Sequence, residues 1–263
     1  MLEYPLMATS LSKAQCETIM RSIRAAALPA IGINWHLTLT IAHGPQCYQG
    51  VGIPDLWTVQ GILKLWVALK HGDAPTITGN QLRASMELHT IEIGLPGQLT
   101  QQEFLVYGHL STKSWLTHLW EFCDDSDIQI TSTTPMLKLA RTDDTFLMST
   151  FAAFGYRKKQ LKQLNVCRLF CHATRISDIT TGDGKRIHAK SWKGQATDSA
   201  GTEYEWPVQG RPTKQAWDLW RAAIRSCYLT LHHEQQQLSQ PLGNWIGDTP
   251  RNWQWFFSPT QDR

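Results

Sequence analysis

The chain has 263 residues, of which 42% are hydrophobic and 18% charged, and its 25 Lys and Arg against 22 Asp and Glu leave a formal charge of +3. A chain of this length and composition buries enough apolar surface to fold unaided, which excludes a disordered, collagen-like or small disulfide-stapled protein. It has neither an apolar run of the about 18 residues that span a bilayer nor the basic start of a secretory signal. We therefore expect that the protein does not contact a membrane and that it is located inside the cell, in the nucleus or the cytoplasm.

The first helix signal begins at Ser12. Ser12 and Gln15 have the spacing of a capping box, and apolar residues recur at helical spacing until Pro29, where we expect the helix to stop. At about 100° per residue, three basic residues project from the side opposite this apolar row. The predicted basic stripe consists of Lys13, Arg21 and Arg24.

Three more helices are predicted in the N-terminal half, over residues 55–71, 79–93 and 111–123. Asp55 is a good N-cap for the first of these, and Gly72 is a good left-handed residue to end it. Its predicted buried face, with a snorkelling edge, consists of Leu56, Val59, Leu63, Trp66, Val67 and Lys70.

The pattern changes after residue 125. Alternating apolar residues at 128–130 and a short apolar run at 136–139 predict two short strands. The sequence Thr142-Asp143-Asp144 predicts the N-cap and first turn of a helix that ends near residue 153. Asp183-Gly184 is typical of a hairpin turn, here between 176–179 and 186–188.

The remaining C-terminal signals are two helices, a loop and a tail. The helices are predicted over 157–173 and 213–227, and the loop over 190–203. We expect the tail to pack back on the protein, because its free aromatic residues Trp253, Trp255, Phe256 and Phe257 would form an adhesive patch. The predicted fold is therefore α+β and predominantly helical, with a helical region at 1–125 and a small basic α+β region with short hairpins at 126–263.

Charge is distributed unevenly along the chain. Residues 1–150 contain 9 Lys and Arg against 13 Asp and Glu, whereas residues 151–228 contain 14 against 6. A local excess of positive charge favours a polyanion as partner, and the natural ligand is a nucleic-acid backbone; the alternative is a solvated basic face. The candidate phosphate-binding residues of this segment are Arg157, Lys158, Lys159, Lys162, Arg168, Lys185 and Arg186.

Other motifs point only weakly to chemistry. Phe122-Cys123-Asp124-Asp125 has the aromatic-x-Asp-Asp form of a polymerase metal site, but the chemistry needs a hydrophobic hairpin and a further carboxylate, and the preceding residues indicate a helix. Cys167, Cys171 and His172 suggest zinc, yet no second pair of ligands follows at finger spacing, so buried thiols are the favoured interpretation. Gly50-Val51-Gly52 lacks the third glycine of a dinucleotide site. We predict no cofactor, no metal and no catalytic residue in this chain.

Several stretches, taken in order, resemble a known family. They are LSKAQCETIMRSIRAAALPAIGIN, AHGPQCYQGVGIPDLWTVQGI with its Tyr48-x-Gly50-x-Gly52 element, KQLNVCRLFCHATRISDITTGDG and WPVQGRPTKQAWDLWRAAIR. Together they resemble the thumb and downstream region of reverse-transcriptase-like proteins of non-LTR retroelements, of the type found in algae and diatoms. The resemblance covers roughly residues 10–230, including matching positions Asn165, Cys167, Arg168 and Asp178 of unknown role.

The resemblance implies contact with template-primer RNA or DNA, but not polymerase activity in these residues. In that family the fingers and palm, with the metal-binding carboxylates, lie upstream of the thumb, so we expect the chain to begin in or just before a thumb. The predicted function is a non-catalytic, nucleic-acid-binding C-terminal portion of such a protein, with an upstream polymerase domain as a possible partner. The alternative is a structural or protein-interaction remnant that does not bind nucleic acid.

Overall fold

The computed structural model describes residues 3–97, 99–130, 137–195, 206–207, 210–230 and 236–246. The chain divides into two compact units. Unit 1 consists of Met1–Ser85 and Thr112–Gln129, and unit 2 consists of Met86–Ser111 and Ile130–Arg263. The segment 86–111 therefore belongs with the C-terminal part of the chain, although the sequence places it in the N-terminal region.

The protein is predominantly helical, as predicted. Its helices within the described residues are α1 (Glu3–Ala8), α2 (Lys13–Ala30), α3 (Leu39–His43), α4 (Leu56–His71), α5 (Ile77–Ile93), α6 (Phe104–Tyr107), α7 (Trp115–Asp125), α8 (Leu147–Ala153), α9 (Lys158–Phe170), α10 (Ala189–Lys193) and α11 (Lys214–Tyr228). Short 3-10 turns lie at Gln46–Tyr48, Leu99–Gln101, Gly108–Leu110 and Ile176–Ile179.

Side-chain caps set the start of the long helices. At α2 the Ser12 amide donates to Gln15 Oε1 at 2.8 Å and the Gln15 amide donates to Ser12 Oγ at 3.3 Å, which is the predicted capping box. At α4 the Asp55 carboxylate accepts from the Thr58 amide at 2.9 Å, and Thr213 caps α11 in the same way. Gly72 is right-handed, with φ −52°, so the predicted left-handed end of α4 is wrong.

Helix α4 lies against α1, α2 and α7 in unit 1, but not by the predicted face. Its buried residues are Leu56, Trp57, Gln60, Gly61, Lys64 and Ala68. Of the predicted face only Leu56 is buried, whereas Val59, Leu63 and Val67 are half-buried and Trp66 is exposed. At Gly61 the ring of Phe122 on α7 leaves no room for a Cβ atom, so this side of α4 faces α7. Gly61, Lys64 and Ala68 are buried at helical spacing, which places Lys64 inside.

The ammonium of Lys64 is wholly buried. Its Nζ donates to Ser10 Oγ at 3.2 Å and lies 5.7 Å from the centroid of the Trp115 ring, and within the described residues no carboxylate pairs with it. Burial lowers the pKa of Lys64 to about 8. Unit 1 therefore holds a charge that its core solvates poorly.

We expect Lys64→Met to raise the free energy of unfolding at neutral pH by about 1–3 kcal/mol, because an apolar side chain fits this position without desolvating a charge. The pKa of Lys64 is about 8 in the folded chain and near 10.5 in the unfolded chain, so the charge destabilises the fold fully below pH 8. As the pH rises from 8 to 10.5 the amine loses its proton and this destabilisation disappears. The gain from Lys64→Met, measured by urea denaturation, should therefore shrink over that range.

The exposed Lys70 on the same helix provides the control. Its Nζ lies 4.4 Å from the centroid of the Trp66 ring, so Lys70→Met should lower the free energy of unfolding, by no more than about 1 kcal/mol. A Lys64→Met variant that is less stable than the wild type at every pH would show that the ammonium is held favourably.

Three helices form the core of unit 2. Helices α8, α9 and α11 pack against one another. The ring of Phe151 on α8 meets Trp220 on α11 edge to face, with 5.9 Å between the ring centroids. Leu164 and Cys167 on α9 are wholly buried. Phe170 on α9 meets Trp217 on α11 in the same way, with 5.8 Å between the ring centroids, so all three helices contribute aromatic rings and α9 is held against α11.

The small α+β part with hairpins is not confirmed. The β structure of the described residues consists of isolated antiparallel bridges, among them Thr180↔Ile187 at the predicted hairpin turn. Residues 176–179, predicted as one side of the hairpin, form a 3-10 turn. Residues 128–130 form no strand. Met136, residues 196–203 of the predicted loop and the tail residues Trp253, Trp255, Phe256 and Phe257 lie outside the described residues.

The predicted helix start at Thr142-Asp143-Asp144 is wrong, because α8 begins at Leu147. Asp144 is instead a buried carboxylate that accepts from Ser177 Oγ at 2.7 Å, from the Ser177 amide at 3.1 Å and from the Ala140 amide at 3.2 Å. It joins two loops of unit 2 at a point where each would otherwise leave buried amides without partners.

Candidate nucleic-acid interface

Four cations lie together at the start of α9. Arg157 precedes the helix, and Lys158, Lys159 and Lys162 lie in its first turns. All four residues are exposed, because the inward row of α9 is taken by Leu161, Leu164, Asn165 and Arg168. We call Arg157, Lys158, Lys159 and Lys162 the α9 cluster.

The α9 cluster is not neutralised by neighbouring acids. The first turn of α9 contains no acidic residue, and among the described residues no carboxylate lies within ion-pair distance of the four side chains. The positive end of the helix dipole adds to the positive potential of the four cations. Burial lowers the pKa of His109, and the charges of Lys158 and Lys162 lower it further, so both lysines lie near this imidazole.

Arg168 is also on α9, but its predicted role in binding phosphate is wrong because the residue is wholly buried. Its guanidinium donates to the carbonyl oxygens of Ile91 at 2.7 Å, Glu92 at 2.8 Å and Ala173 at 3.0 Å, and its Nε donates to Asn165 Oδ1 at 2.8 Å. Burial lowers the pKa of Arg168 to about 9. The residue therefore connects the end of α5 to α9 and has no surface to offer a ligand.

The Arg168 guanidinium also constrains the chain at Gly94. This glycine follows α5 with φ +70°, in the left-handed region, and a Cβ atom there would lie 2.6 Å from Arg168 Cζ. Only a residue without a side chain fits both the backbone and the guanidinium.

Arg168→Met should lower the free energy of unfolding by about 3–5 kcal/mol, since it leaves buried carbonyl groups without donors. Guanidinium chloride denaturation measures this change. The control is Arg221→Met, which removes a partly exposed pair with Asp218 and should change the free energy by less than about 1 kcal/mol. Equal denaturation midpoints for Arg168→Met and the wild type would contradict the role of Arg168 as a connector.

Lys185 and Arg186 directly follow Gly184 in the turn formed by residues 181–186, and both are exposed. Their backbone is fixed on both sides, because the Arg186 carbonyl accepts from the Thr181 amide at 2.8 Å and the Lys185 carbonyl accepts from the Leu238 amide at 2.8 Å. We call residues 181–186 the basic turn. Its two cationic side chains are exposed, and both interact with the carboxylate of Asp183 in the same turn.

The predicted stripe of Lys13, Arg21 and Arg24 on α2 is not formed. Arg24 is buried in the row Cys16, Met20, Arg24 and Leu28, where it pairs with Glu17 at 2.6 Å and lies 3.2 Å from His43 Nε2. Lys13 is exposed but pairs with Asp125 at 2.7 Å. Arg21 is exposed. The four-residue spacing of the buried row puts Arg24 inside, while Ile19 and Ile23 take exposed positions that the sequence assigned to the apolar face.

The acidic and thiol motifs take structural roles. Asp124 and Asp125 lie at the last turn of α7, a helix and not the hairpin that two-metal chemistry requires. Burial raises the pKa of Cys171 to about 12 and raises that of Cys167, which opposes the thiolate form that binds zinc. Within the described ranges no three His, Cys, Asp or Glu side chains are grouped to hold a metal ion.

Sequence reasoning missed Arg141 and Trp245, which lie more than 100 residues apart. They pair in an antiparallel bridge, and Arg141 Cζ lies 4.7 Å from the centroid of the Trp245 ring. Arg141 is buried and donates to the carbonyl of Gly243 at 2.8 Å and to that of Gly182, in the basic turn, at 3.0 Å. No local pattern signals a contact of this sequence separation.

No protein-family model matches the chain, and neither a curated protein nor a solved structure matches it significantly. Of the helices described here, none is both long enough and apolar enough to span a bilayer. The resemblance to retroelement proteins therefore remains an expectation from the sequence.

Proposed function

We propose that this protein binds RNA or DNA through the phosphate backbone, and that the α9 cluster provides the principal contacts. The observation that carries the proposal is four exposed cations within six consecutive positions, with no carboxylate paired to them among the described residues. A surface of this kind attracts a polyanion, because each phosphate that it neutralises releases condensed counterions.

The expected mode of binding is insensitive to sequence. Lysine ammonium groups contact phosphates as point charges, and contacts to phosphate position a nucleic acid without reading its bases. The rigid packing of α9 against α8 and α11 supports this role, since the cluster is presented on a helix that does not need to be ordered on binding.

The resemblance to reverse-transcriptase-like proteins implies that this chain has a retroelement origin, and we include that origin in the proposal. We propose a non-catalytic C-terminal portion of a non-LTR retroelement reverse-transcriptase-like protein, with a thumb-like helical part and a small α+β part, that contacts template-primer beside an upstream polymerase domain. The nucleus and the cytoplasm are the compartments where such a nucleic acid is present. The support is the order of the matching stretches and the basic segment that contains α9.

Charge reversal at Lys158 and Lys159 should weaken binding to RNA–DNA hybrids of any sequence alike. If both lysines bind phosphates, affinity should depend less steeply on salt. The magnitude of the slope of log affinity against log salt should decrease by about 2, because each lysine neutralises about one phosphate. Acidic residues in the first turn of a helix favour the helix, so the variant should fold normally. Fluorescence anisotropy with a labelled hybrid at several salt concentrations provides the measurement.

The matched control is the double reversal Lys70→Glu and Lys113→Glu, which changes the net charge equally at exposed positions of unit 1. It should leave the salt slope within about 0.5 of the wild-type value. Wild-type protein that does not bind at low salt, or whose binding is indifferent to salt, would eliminate the proposal.

Protein interaction is a second candidate function, favoured by one specific observation. Ile62, Trp66 and Leu69 form a stripe on α4 at helical spacing, with 53%, 48% and 64% of their surface exposed. Apolar stripes of this kind are found where proteins associate.

If this stripe mediates association between copies of the chain, the wild type should associate as its concentration rises, and the variant Ile62→Ser with Leu69→Ser should not. Sedimentation velocity over a range of concentrations measures the difference. A wild type that stays monomeric would remove self-association as the function of this stripe.

A further inference from the structure

Trp245 is an exposed aromatic residue in a rigid setting. About 52% of its surface is exposed, although its ring lies 4.7 Å from the buried guanidinium of Arg141. Three backbone hydrogen bonds of 2.9 Å, from Thr142 to Asn244, from Gly243 to Thr142 and from Ile246 to Ala140, fix the segment that carries it. Because one side of the indole is turned to Arg141, the exposed part of the ring is the side that faces away from it.

The basic turn is held by the same guanidinium. Arg141 Nη1 donates to the Gly182 carbonyl at 3.0 Å, and the guanidinium leaves no room for a Cβ atom at Gly184. The carboxylate of the turn, Asp183, is engaged within it, because Oδ1 accepts from Thr181 Oγ1 at 2.5 Å and from the Lys185 amide at 3.1 Å. Asp183 also attracts Lys185 and Arg186, so the turn has two exposed cations against one carboxylate. The Leu242 amide donates to the Gly184 carbonyl at 2.9 Å, which brings the turn to the segment that carries Trp245.

We infer that Trp245 and the basic turn form a binding site for single-stranded nucleic acid, in which a base stacks on the exposed side of the indole while Lys185 and Arg186 contact the adjacent phosphates. The inference rests on the proposed function and adds the class of ligand. An aromatic face beside cations is the combination that binds unpaired nucleotides, since every base has a face to stack and every linkage has a charge. A duplex keeps its bases stacked on each other and offers only its phosphates.

Arg141 is a positioning residue in this site. Its buried cation orients the indole from one side and the basic turn through a backbone carbonyl, so a single side chain sets the distance between the stacking surface and the charges. An exposed tryptophan that was free to rotate would lose more conformational entropy when it bound a base.

The test compares two oligonucleotides that carry the same phosphates. One is a labelled twelve-nucleotide oligothymidylate, and the other is a twelve-residue abasic strand that has no bases. Wild-type protein should bind the oligothymidylate more tightly, and Trp245→Ala should reduce that affinity about 5- to 100-fold, since stacking on one aromatic side chain is worth about 1–3 kcal/mol per base. The affinity of Trp245→Ala for the abasic strand should equal that of the wild type.

Trp245→Phe retains an aromatic face and should keep the affinity for oligothymidylate within about 5-fold of the wild type, which separates stacking from loss of structure. Trp35→Ala, which removes an exposed tryptophan of unit 1, should have no effect.

Three results would overturn the inference. If the wild type binds both strands equally and with salt dependence, the phosphate contacts of the proposed function stand and the stacking site does not. If Trp245→Ala weakens the two strands by the same factor, Trp245 has no role specific to bases. If the wild type binds neither strand at low salt, the proposed function fails and the stacking site fails with it.

Discussion

The guanidinium of Arg168 is the contact on which the arrangement of unit 2 depends. Three backbone carbonyls and one side-chain amide accept its hydrogen bonds, and two of the carbonyls are at the end of α5. The last carbonyls of a helix have no partner within it, so a buried helix end needs donors from elsewhere. Arg168 supplies them and so joins α9 to the end of α5. Because Arg168 lies on the buried side of α9 with Leu161 and Leu164, the α9 cluster lies on the exposed side.

One helix thus contains cations with opposite roles. Arg168 is inside and joins two segments, whereas Lys158, Lys159 and Lys162 lie outside and have no carboxylate partner among the described residues. Arginine suits the inner position because its planar group donates several hydrogen bonds at fixed angles, and lysine suits the outer one because its stem is flexible and its charge is compact. The choice between the two residue types is therefore consistent with the placement that the structure shows.

Helix existence was largely predictable from the sequence, and helix orientation was not. Capping signals at Ser12 and Asp55 are local, and each marks the start of the helix that the structure contains. Periodicity was less reliable, because α4 packs by the side that contains Gly61, where Phe122 fits only against a residue without a side chain. Lys64 is therefore buried and Trp66 is exposed.

The predicted nucleic-acid-binding residues match the exposed cations of the structure only in part, for a similar reason. The α9 cluster is contiguous in the chain, and a helix start is enough to keep its members together. Arg24 and Arg168 resemble the surface cations in sequence and differ from them only in tertiary contacts. Arg141 and Trp245 meet through a bridge that no spacing rule describes, so the stacking site was invisible before the fold was known.

The fit between Gly94 and Arg168 has an evolutionary consequence. Any side chain at Gly94 would occupy space that the guanidinium now fills, and a shorter residue in place of Arg168 would vacate it. The two positions should therefore covary among descendants of this sequence: where the arginine persists the glycine is obligatory, and lineages that lose the arginine are released from that steric requirement.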